Sequence, residues 1–83
     1  MKIKMKRVTH WTIDSRALYK EIGRRMKAAR NKRGMTGGDA AKALGMSRTN
    51  LANIEGAYPT RVLLDHLYNA AVLYGCNVRS FLP

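Results

Sequence analysis

Arg48, Thr49, Asn50 and Asn53 fall within one six-residue stretch. Together they carry a forked guanidinium, a hydroxyl and two amides. Such groups pair with the major-groove edges of bases: a guanidinium with guanine, an amide with adenine. The same groups hold phosphate oxygens. This is the chemistry of recognition, and none of it breaks a bond. It requires the four side chains to leave one element on one side while the other side is anchored. Leu51 and Ile54 supply that anchored edge if the stretch is helical.

The surrounding residues provide the element. Residues 36–56, TGGDAAKALGMSRTNLANIEG, predict two short helices joined by a tight turn. Thr36 can N-cap the first helix, with Asp39 three residues on as a weak capping-box partner. Gly45 falls where a helix leaves through a left-handed residue. Met46 then precedes the cap, Ser47 is the cap, and Leu51 packs back on Met46 as a hydrophobic staple. Gly56 ends the second helix. Two helices and a glycine-containing turn of this length are the sequence form of a helix-turn-helix.

The composition fits a polyanionic partner. Sixteen basic against five acidic residues give +11 over 83 residues, more than the magnitude of about 2–8 that solubility asks of a small domain. Twelve of the basic residues and two of the acidic ones lie in residues 1–33, so the charge is concentrated at one end of the chain. The length allows one small domain with a single core. One cysteine, Cys76, cannot form an internal disulfide, and with His10 and His66 it lacks zinc-ligand spacing. No metal or cofactor is expected, and the single thiol favours a reducing cytoplasm. No apolar run approaches the roughly 20 residues of a membrane span. MKIKMKRV is not followed by an apolar stretch of the kind a secretory signal needs. No catalytic arrangement is suggested: the two histidines are lone residues, and no carboxylate pair or nucleophile–base set stands out. An RNA-binding role fits the charge but lacks interleaved exposed aromatics for base stacking.

In chain order, residues 1–14 read as a basic arm in which Lys2, Lys4, Lys6 and Arg7 are available to DNA. The alternation of lysines with Ile3 and Met5 also permits a short strand paired with a second subunit. Trp11 is expected to pack on the body of the domain. The domain itself is expected over residues 15–83. Asp14 or Ser15 caps a first helix, about residues 16–33, with Leu18, Ile22, Met26 and Ala29 as its buried stripe. Gly34 stops it. After the Tyr58-Pro59 loop, Thr60 caps a fourth helix to about Tyr74, with a buried stripe of Leu63, Leu67, Ala70 or Ala71, and Tyr74. Gly75 closes that helix, and Asn77 caps a last turn carrying Val78, Phe81 and Leu82. The expected class is all-α, with five helices.

Four blocks at family spacing, IGRRMKAARNKRGMT, Ala41–Leu44–Gly45, SRTNLANIEG and LYGCNVRSFL, make residues 22–82 resemble the lambda-repressor-like, Cro/repressor-type helix-turn-helix domain. The resemblance implies helix 3 in the major groove and, usually, a homodimer on a near-palindromic operator. By similarity Arg48, Thr49, Asn50 and Asn53 face bases and phosphates. Thr36 and the backbone N–H groups of Gly37 and Gly38 fall at the phosphate-gripping start of helix 2, a suitable anion site. Lys32, Arg33, Tyr58 and Arg61 are further expected phosphate contacts. Arg30 and Glu55 match a pair that in some members braces helix 1 against helix 3. Gly37-Gly38 departs from the family, which commonly has Gln and an acidic residue there, and so removes the side chains helix 2 would offer. Ala40 stands where a larger apolar residue is usual, leaving space for Trp11 or a methionine.

The sequence reading is therefore a double-stranded-DNA-binding transcriptional regulator, acting as a homodimer through Tyr74, Val78, Phe81 and Leu82. A prokaryotic, phage or mobile-element context suits it, whether as repressor, restriction-modification controller or antitoxin. The rival reading is an antitoxin or adaptor whose main work is binding a partner protein through the same C-terminal face.

Overall fold

The computed structural model describes residues 15–57 and 62–83. They form α1 (Ser15–Arg33), α2 (Gly37–Leu44), α3 (Arg48–Ala52), α4 (Leu64–Tyr74) and a closing 3-10 turn (Val78–Phe81). Helix α3 runs on into one wider turn, Asn53–Ala57, which holds Gly56 at φ 127°. The architecture is all-α among the described residues, with a 3-10 turn where a fifth helix was expected. The arm residues, Trp11, Tyr58, Thr60 and Arg61 lie outside the described residues.

The core is made where the helices meet. Ile22 and Met26 of α1 are buried, and Leu18 and Ala29 pack against the core from the same stripe. Helix α2 contributes Ala40 and Ala41, α3 Leu51, the wide turn Ile54, and α4 Leu67, Ala70, Ala71 and Tyr74. Two alanines make α2 a thin layer, and methionines fill around it: Met26 is fully buried, with Met35 and Met46 packed on the same cluster.

Helix α4 begins later than its sequence suggests. Leu63, not Thr60, is the N-cap residue, and no side-chain hydrogen bond caps it. Leu63 is exposed, which corrects its place in the buried stripe. The cause is an apolar surface nearly all round the helix: LLDHLYNAAVLY supports two helical stripes, and periodicity does not choose between them. Leu67, Ala70, Ala71 and Tyr74 turn inward, while Leu64, Tyr68 and Val72 turn out.

Two of the four residues expected at a dimer interface, Tyr74 and Phe81, are also corrected. Phe81 is 1% exposed and belongs to the protomer's own core, as does Tyr74. Neither is free to form a dimer surface. Burial holds the Tyr74 phenol neutral and, with the negative Glu55 nearby, pushes its pKa up to about 12. The 3-10 turn folds Phe81 in because Asn77 accepts the Arg79 N–H at 2.8 Å. Arg25 then holds the Leu82 carbonyl from α1 at 2.6 Å.

One glycine sets how closely α1 approaches the end of α3. A Cβ on Gly23 would stand 1.8 Å from the Ile54 carbonyl oxygen and 3.2 Å from the Glu55 Cα. Glycine within a helix costs roughly 1 kcal/mol relative to alanine, so its presence here reflects this backbone-to-backbone contact. Gly23→Ala gains that helix propensity but must push the α3 end away, an overpacking cost of typically 1–3 kcal/mol and here at the upper end or beyond. Thermal unfolding should show a lower melting temperature, and an unchanged or raised one would contradict the contact.

Candidate nucleic-acid interface

The α2–α3 unit is built by its caps. Thr36 Oγ1 accepts the Asp39 N–H at 3.1 Å, and Ser47 Oγ accepts the Asn50 N–H at 3.0 Å. Between them Gly45 takes the left-handed conformation, φ 69°. The Met46 N–H returns to the Ala41 carbonyl at 3.0 Å, closing the turn. Leu51 and Ile54 are 1% and 2% exposed and anchor the inner edge. On the outer side Arg48, Thr49 and Asn50 are exposed, while Asn53 is half-buried in the wide turn. The structure thus leaves Arg48, Thr49 and Asn50 exposed around the first turn of α3 and sets Asn53 one turn after Thr49.

The start of α2 lies beside this turn. Gly37 and Gly38 would meet nothing within 4 Å if given a Cβ, so packing does not demand them. What they leave is an uncovered backbone at the positive end of α2. Lys32 and Arg33 are exposed but line a separate pocket with Tyr74, Gly75 and Cys76. Cys76 is a free thiol, partly buried against the core. Among the described residues no group of three or more metal-ligating side chains is brought together. No helix there is long and apolar enough to cross a membrane.

Arg30 ties the unit to α1. Its Nε donates to Glu55 Oε2 at 2.8 Å and its Nη2 to Glu55 Oε1 at 2.9 Å. Nη1 donates to the Met35 carbonyl at 2.8 Å. The side chains are 11% and 7% exposed, and the hydrogen bonds to Glu55 raise the guanidinium pKa further. Removing one partner of such a pair leaves a buried charge, at about 3–5 kcal/mol. Glu55→Ala should therefore lower the melting temperature sharply and weaken any binding by α3. An unchanged melting temperature would mean that the pair does not hold the fold.

A groove of about 780 Å³ opens between α1 and the α3 end. Lys20, Arg24 and Lys27 line it from α1, and Arg48, Ala52 and Gly56 from the other side. Gly37 also borders it, so the groove joins both the start of α2 and the start of α3. Sequence reading passed over Lys20 and Gly23. The 20–24–27 spacing was available as a signal for one helix face, and a glycine inside an apolar-periodic helix was available as a signal for close packing.

Two short capped helices, α2 and α3, joined through the left-handed Gly45 make a helix-turn-helix. Residues 21–78 match a family model described as a helix-turn-helix domain, and the chain belongs to that family. Solved structures share the lambda-repressor-like fold. The restriction-modification controller protein C.AhdI from Aeromonas hydrophila is 19% identical, with a TM-score of 0.69 over 77% of this chain and 96% of that one. The master regulator for biofilm formation SinR, solved in complex with DNA, is 23% identical, with a TM-score of 0.66 over 72% and 95% of the two chains. Hydroxypropylphosphonic acid epoxidase from S. wedmorenis is 19% identical with a TM-score of 0.72, but this chain, 82% of which is covered, spans 36% of that enzyme. No curated protein matches the sequence.

Proposed function

We propose that this chain is a sequence-specific, double-stranded-DNA-binding transcriptional repressor acting as a homodimer on a near-palindromic operator. The observation that carries the reading is the exposed first turn of α3, with Arg48, Thr49 and Asn50, on a segment anchored by the buried Leu51 and Ile54. The likeness to SinR, solved with DNA, and to the controller C.AhdI supports it at the level of fold. Selection of bound sites from randomised DNA at fixed salt tests it and returns the half-site and its spacing. Asn50→Ala leaves the Ser47 cap intact, because that bond uses the Asn50 backbone N–H. It should cost about 1–3 kcal/mol on the selected site and little on random DNA. Equal losses on both would assign Asn50 to phosphate.

For the dimer we propose the outward stripe of α4. Leu64, Tyr68 and Val72 are 68%, 54% and 83% exposed at successive helical turns. Asp65 is the one Asp, Glu, Lys or Arg on α4, so two copies of a strongly basic chain can meet there without opposing their charges. Val72→Asp should give a folded monomer by sedimentation, with weakened operator binding. Phe81→Asp should unfold the protein instead. A Val72→Asp variant that still sediments as a dimer would remove α4 from the interface. A wild-type monomer with an unchanged stripe would favour a partner protein as its occupant.

A further inference from the structure

We propose that the groove between α1 and the α3 end receives the phosphate backbone of the same DNA that α3 reads, with Lys20 and Lys27 as its phosphate contacts. This rests on the DNA-binding reading above and extends the interface from α2 and α3 onto α1. The groove is continuous with the recognition face, because Gly37 at the start of α2 and Arg48 at the start of α3 both border it. A strand lying on those two ends therefore has an open path along α1.

The charges in the groove are unequally satisfied. Glu21 accepts from Arg24 at 2.7 Å and from Arg25 at 2.7 Å, and Glu55 is taken by Arg30. Lys20, Lys27 and Arg48 have no carboxylate partner among the described residues. Lys20 and Lys27 stand seven residues apart on one face of α1, about 10 Å along its axis. A DNA strand with a phosphate every ~3.4 Å of rise can place two separate phosphates on them. The opposite wall is small at Ala52 and Gly56, which leaves room for a sugar-phosphate chain. Lys20 precedes the segment that matches the helix-turn-helix family, residues 21–78. Lys27, on the same wall, lies within that segment.

The test compares two double variants of the full chain on the selected operator across a salt series. Lys20→Ala with Lys27→Ala removes the groove charges. Lys42→Ala with Arg79→Ala removes equal charge from exposed positions outside the groove. The groove variant should flatten the slope of log affinity against log salt by about 1.8 per bound protomer. It should lose affinity equally on operator and random DNA, keep its melting temperature, and lose phosphate-ethylation interference at the outer phosphates of each half-site. The control should leave slope and interference pattern unchanged. An unchanged slope in the groove variant with the operator still bound, or equal flattening in both variants, overturns the groove and leaves α3 as the reader. Wild-type protein that selects no DNA overturns the reading beneath it, and a groove that then binds an acidic peptide gives it a protein partner instead.

Discussion

A single guanidinium joins three parts of this chain. Arg30 sits on α1, bonds the Met35 carbonyl on the way into α2, and grips Glu55 on the way out of α3. Helix α3 has five residues in regular α conformation, too few to be stable by propensity alone. Its direction is set by what holds its ends. Ser47 fixes one, and the Arg30–Glu55 pair fixes the other. A buried pair repays its desolvation only with good geometry, and the two-pronged contact here supplies it. The Gly23 approach to Ile54 sets the distance at which that geometry is reached. Pair and glycine therefore act as one joint: widen the backbone contact and the guanidinium no longer meets both oxygens.

The parts of this arrangement that were readable in the sequence are those with local causes. Thr36 and Ser47 cap by contacts three residues away, and Gly34, Gly45 and Gly75 leave their helices with φ of 78°, 69° and 70°. The α1 stripe has one apolar face and so one solution. Helix α4 has apolar residues on two faces, and which one turns inward depends on α2 and the 3-10 turn, not on α4. Phe81 was misplaced at the interface for the same reason, and Tyr74, read both as buried stripe and as interface, takes the buried place: an apolar residue near the end of a small domain can fill its own core or cover a neighbour, and only the path of the chain decides. Gly23 carried a signal but no address, since nothing local to α1 names Ile54 as its neighbour.

Charge is partitioned across the molecule in a way that matches this geometry. Lys20, Arg24, Lys27 and Arg30 gather on the side of α1 that borders the start of α2 and α3, while the outward stripe of α4 is nearly free of charge. The core between the two surfaces is thin, with alanines on α2 and α4 where larger side chains would force the layers apart. On the function proposed above, the surface for a polyanion and the surface for association lie on different helices. A change on one can leave the other untouched.

The turn at Arg48, Thr49 and Asn50 has a further property. These residues contribute no buried side chain, and the cap that starts their helix uses the Asn50 backbone, not its side chain. Leu51, Ile54 and Glu55, a few positions on, carry the packing. Duties are thus segregated along a single short segment. On the proposed reading, the scaffold is readdressed by swapping three surface side chains, at almost no cost in folding, whereas the residues just behind them are closed to drift. On that reading, descendants of one such chain can diverge in what they read long before they diverge in how they fold.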